Sequence, residues 1–72
     1  MRRILVHIIT GDGDYIAEVV HSQFVELDLA IREKYPRLYV PSLPQTDIPR
    51  DQYKGLIYDY FAVCVWRVDL NA

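Results

Sequence analysis

The chain has 72 residues, of which 51% are apolar and 25% charged, and ten acids against eight bases leave a formal charge of -2. This length holds one small domain, 1–72, and the apolar content excludes a disordered chain. The mild acidic balance excludes the extended cationic field that drives phosphate-backbone binding and is too weak for an acidic mimic of DNA.

Arg2 and Arg3 precede an apolar run, Ile4 to Ile9, that is too short for a signal sequence, contains His7 and breaks at Gly11-Asp12-Gly13-Asp14. No stretch is long enough to span a membrane, so no membrane partner is expected. The single Cys64 has no partner for a disulfide or a zinc site, and a reduced, cytoplasmic setting is the simplest expectation.

Ile4 to Ile9 and Tyr15 to Val20 are β-branched runs on either side of a Gly/Asp turn, which predicts a β-hairpin. A rival reading runs one helix from Tyr15 to Tyr35, because Ile16, Val20, Phe24, Leu27, Ile31 and Tyr35 recur every three or four residues. Val19, Val20, His21 and Ser22 make poor helix interior, while Ser22 suits an N-cap, and this favours the hairpin. From Gln23 to Tyr35, Phe24, Leu27, Ala30 and Ile31 form one helical face, and Tyr35-Pro36 ends it. Leu38 to Val40 is expected as a short third strand. Pro41, Pro44 and Pro49 then impose an extended loop, Asp51 to Gly55 a helical turn, and Ile57 to Val68 a long apolar strand. The expected fold is a small single α+β domain, with an antiparallel sheet covered by one helix on one face.

A turn centred on Asp12-Gly13 pairs Ile9 with Ile16, His7 with Glu18 and Leu5 with Val20. Strand alternation sets Ile4, Val6, Ile8, Ala17 and Val19 on one face, and Leu5, His7, Ile9, Ile16, Glu18 and Val20 on the other. The last strand reads the same way, with Tyr60, Ala62, Cys64, Trp66 and Val68 opposite Asp59, Phe61, Val63, Val65 and Arg67, so that neither side is polar. One short helix covers one face. The second needs cover from the proline loop, from a second copy or from another protein.

The candidate chemistry is sparse. Counted from Asp12, an EF-hand would need a glutamate where Gln23 stands and a ligand where Ile16 stands. A dinucleotide fingerprint would also need glycine at Ile16, and a P-loop its lysine. A His7–Glu18 pair can do general acid-base work if it lines a pocket. His7, His21 and Cys64 follow no metal-ligand spacing, so neither metal nor other cofactor is expected. Cys64 lies between Val63 and Val65 without an adjacent base, which describes a structural thiol. Pro41-Ser42-Leu43-Pro44 has the PxxP outline, but Arg37 is one residue too distant for the basic flank.

The aromatic C-terminal third, with the apolar outer hairpin face, matches a protein-binding surface best. The candidate contact residues are Tyr58, Tyr60, Trp66, Arg67, Leu5, His7, Ile9 and Ile16. The leading expectation is a non-enzymatic module, an inhibitor or adaptor that occludes a partner protein or pairs with a second copy of itself. Hairpin–helix–strand chains of this size are similar in outline to phage and mobile-element accessory proteins that inhibit a host machine by binding it, anti-CRISPR proteins among them. Two alternatives stand beside it. One is a single-stranded nucleic-acid binder stacking bases on Tyr58, Tyr60 and Trp66 beside Arg67; the other is a small oligomeric enzyme using His7 and Glu18.

Overall fold

A computed structural model of the protein describes residues 3–56 and 63–72. Strands β1 (Arg3–Thr10) and β2 (Gly13–Val19) form the hairpin, helix α1 (His21–Lys34) follows, a 3₁₀ turn occupies Arg50–Tyr53, and β3 (Val63–Asp69) ends the order. The domain is α+β, with a three-stranded sheet in the order β2-β1-β3. The sheet is mixed rather than antiparallel, because β1 pairs antiparallel with β2 and parallel with β3. The connection from β2 to β3, through α1 and the long loop, is long enough to carry the chain back to the start of β1, so β3 enters in the same direction.

Both β-branched runs pair as strands, and residues 15 to 19 are not helical. The register differs from expectation: Ile4 pairs with Val19, His7 with Ile16 and Ile9 with Asp14. The loop is Gly11-Asp12, one position earlier than expected. Thr10 closes it, its hydroxyl bonding the Gly13 carbonyl and accepting the Asp12 N–H. Gly13 has φ +136°, a conformation that side chains with a Cβ rarely adopt, and it pairs with Thr10. Moving the turn by one position shifts the pairing by two, so the division of side chains between faces survives while every cross-strand neighbour changes.

Helix α1 begins earlier than expected, with Val20 rather than Ser22 at the N-cap, and the Gln23 side chain accepts the Val20 N–H at 3.2 Å. Its buried residues are Phe24 and Ile31, with Leu27 packed beside them, while Ala30 stays exposed. Leu38 to Val40 does not form a strand. Val40 is drawn into the core and Pro41 removes the next donor, which leaves no ladder to continue. The last strand is Val63–Asp69, so the first half of the run expected from Ile57 lies outside the described residues.

Two apolar clusters lie on opposite faces of the β1–β3 pair. The helix-side cluster contains Ile4, Val6, Ile8, Phe24, Ile31, Val40, Trp66 and Val68. Phe24 meets Trp66 edge-on at 5.0 Å, and the Trp66 indole N–H donates to the Pro41 carbonyl at 2.9 Å. The second cluster contains Leu5, Tyr53, Val63 and Val65, with Ile48 beside them. The proline-rich segment therefore acts as a strap. It packs Val40 and Leu43 on the helix side, passes the free edge of β3, and lays Ile48 and Tyr53 on the opposite face.

The strap also satisfies the edge it crosses. Gln45 behaves as a one-residue strand partner, accepting the Arg67 N–H at 3.0 Å and donating to the Arg67 carbonyl at 3.4 Å. Arg50 donates to the Val63 carbonyl at 3.3 Å. Arg32 fixes the start of the strap by pairing with Asp28 and donating to the Val40 carbonyl at 3.0 Å.

Candidate functional site

Under the strap lies a buried polar chain. His7 Nε2 is 2.8 Å from an Asp14 carboxylate oxygen, and His7 Nδ1 is 2.8 Å from the Tyr53 hydroxyl. A carboxylate only accepts, so in the neutral ring Nε2 donates to Asp14 and Nδ1 accepts from Tyr53. Arg67 pairs with His7 in the β1–β3 register and joins the same face. Burial pushes the Tyr53 phenol above its usual 10.0; the Arg67 charge opposes this and the Asp14 charge reinforces it. The Arg67 Nε is buried with no hydrogen-bond partner among the described residues.

This chain has the connectivity of an acid–base relay, yet the His7 and Tyr53 rings are both fully buried. Its hydroxyl end meets protein on all sides, and what it accomplishes is to fasten the 3₁₀ turn to the hairpin. The expected His7–Glu18 pair does not form, because the shifted register sets Glu18 opposite Leu5, where it reaches Arg3 at 3.6 Å.

The expected contact residues separate. Leu5 and Trp66 are core residues and His7 is sealed, so none of the three presents a surface. The aromatic-face reading of Trp66 is corrected by its place between Phe24 and the Pro41 carbonyl. Arg67 and Ile9 are half-buried. Tyr58 and Tyr60 lie outside the described residues. Only Ile16 stands out, 37% exposed beside Tyr15 at 52% and Val20 at 48%. Asp14, Tyr53 and Gln45, which the structure places at the centre of its polar contacts, were absent from the expected set. Asp14 read as a turn residue, and nothing local to Tyr53 or Gln45 signals a partner so distant in sequence.

Strand β2 forms one edge of the sheet. Leu70 donates to the Ile9 carbonyl, so the odd-numbered residues of β1 bond toward β3 and the even-numbered ones toward β2. The N–H and C=O groups of Asp14, Ile16 and Glu18 therefore face outward, and among the described residues nothing pairs with them. Beside this edge, Tyr15 and Val19 face Gln23, Glu26, Leu27 and Ala30 of α1 across a groove of about 380 Å³.

Comparison with family models, curated proteins and solved structures finds no match. A second concavity of about 540 Å³ lies between α1 and the strap, with Phe24, Leu43 and Cys64 on its walls and His21, Asp28 and Ser42 as its polar groups. Among the described residues no group of His, Cys, Asp and Glu side chains is placed to hold a metal ion, and no helix is long and apolar enough to cross a membrane.

Proposed function

We propose that this chain is a small non-enzymatic protein-binding module, an inhibitor or adaptor that works by occupying a surface of its partner. The observation that carries the reading is the exposure of β2: Tyr15 on its helix-side face, Ile16 on the other and Val20 just beyond its end stay exposed, although helix and strap cover the two faces of the β1–β3 pair. Apolar side chains gathered on one element are a common mark of an interface. The reading includes a reduced cytoplasmic setting, supported by the free thiol of Cys64, and a mode of action like that of phage accessory inhibitors.

The test is retention from a lysate of the source organism, followed by reconstitution with the retained protein after its identification, alongside light scattering of the chain alone. Near-stoichiometric association that weakens in Tyr15→Ser, with helical content unchanged, is the expected result. A chain that neither self-associates nor holds any protein on reconstitution overturns the reading.

A further inference from the structure

We infer that β2 recruits its partner by strand addition, and that the partner is an extended segment of another protein carrying basic side chains at two positions four residues apart, with apolar ones between. The inference rests on the protein-binding reading above and names the surface and the chemistry of what it binds.

Three observations converge. The β3 edge is occupied by Gln45 and Arg50, whereas the β2 edge offers the backbone groups of Asp14, Ile16 and Glu18 unpaired among the described residues. An added strand gains main-chain hydrogen bonds at these groups, and its alternate side chains gain specificity. On the helix side, those side chains enter the groove between Tyr15, Val19, Leu27 and Ala30, which wants apolar residues. On the other side they lie opposite Asp14, Ile16 and Glu18, an acid–apolar–acid row that wants basic–apolar–basic. Glu26, at the lip of the groove, adds to the same negative field.

The nearby cations do not cancel this charge. Arg3 and Glu18 are both well exposed at 3.6 Å, a pairing that water and salt weaken. Asp14 turns one oxygen to His7 while its side chain remains 45% exposed. The same acids argue against a second copy as occupant. Antiparallel self-pairing over the whole of Gly13–Val19 is centred on Ile16 and sets Asp14 of each strand opposite Glu18 of the other.

The test uses the full chain and the blocked peptide Val-Lys-Leu-Ile-Val-Lys-Thr, which in antiparallel register sets its lysines opposite Glu18 and Asp14. Amide resonances are followed by NMR during titration, with two control peptides. One has glutamate for both lysines; the other is N-methylated at the lysines and the isoleucine, whose N–H groups would meet β2. The expected result is saturable shifts at Asp14, Ile16 and Glu18, with both controls about tenfold weaker or worse, and Glu18→Lys restoring part of the binding of the glutamate peptide. Shifts that ignore N-methylation or charge, or that spare β2, overturn strand addition, as does a concentration-dependent dimer paired through β2. If a protein partner is still held with β2 silent, only the mode is lost; if nothing associates at all, the protein-binding reading falls with it.

Discussion

His7 illustrates how one side chain can be singled out correctly and given the wrong neighbour. Its position within an apolar run marks a polar group in need of partners, since burying an imidazole without them costs on the order of 1–3 kcal/mol. The partners are Asp14, reached through a turn one position earlier than expected, and Tyr53, which is 46 residues away. Replacing Tyr53 by Phe leaves Nδ1 without its donor in a sealed site. The expected loss is about 1–2 kcal/mol, measured by urea unfolding at neutral pH. The same variant has a signature in base. The Tyr53 phenol is held above 10.0 in the folded chain, so the unfolded chain gives up that proton first, and stability is intact below pH 10.0 and lost as pH rises above it. In Tyr53→Phe this alkaline loss should shrink; an identical pH profile from 9 upward would show that Tyr53 contributes none of it. Trp66, fully buried against Phe24 and bonded to Pro41, should cost about 3–5 kcal/mol when truncated to Ala. A loss below 1 kcal/mol would contradict its place in the core.

Among the elements, the two edges of the sheet are treated differently, and no local pattern distinguishes them. β3 is shielded by Gln45, whose side-chain amide imitates a strand at Arg67. Gln45→Ala should remove that cover and raise amide hydrogen exchange at Arg67 at least severalfold, leaving the inward-bonded amides of β1 unchanged; equal protection of Arg67 in the variant would mean that the amide pair does not shield it. The hairpin and helix were legible because their local signals differ, β-branched runs on either side of a Gly/Asp turn for the one and apolar residues recurring every three or four from Phe24 to Ile31 for the other. The helix start was less so, since Ser22 is the better N-cap by type, while Gln23 supplies the bond that selects Val20. Leu38 to Val40 is apolar enough for a strand but has no neighbouring strand to pair with, and Val40 packs inward instead.

At the scale of the whole molecule, a three-stranded sheet with both faces apolar is closed by one helix and one strap. Of the three covers expected for the second face of the β1–β3 pair, it is the proline-rich loop that supplies it. Leu5, which could have been left for a partner, lies under Tyr53, while Ile16 and Val20 remain in the open. Tyr53→Ala should lift the strap from Leu5, Val63 and Val65. The expected outcome is increased binding of an environment-sensitive apolar dye with the helical circular dichroism retained; unchanged dye binding would show that Ile48 and the rest of the strap hold that face alone. The α+β class, the hairpin, the helix and the sorting of strand side chains between two faces can be read from the residues alone, because alternation and turn chemistry act between neighbours along the chain. The parallel entry of β3, the partners of His7, the burial of Trp66 and the open edge of β2 arise only on packing. Each of these depends on where the proline-rich strap crosses the sheet, and chain closure over that distance is set by the sum of many contacts rather than by any local signal.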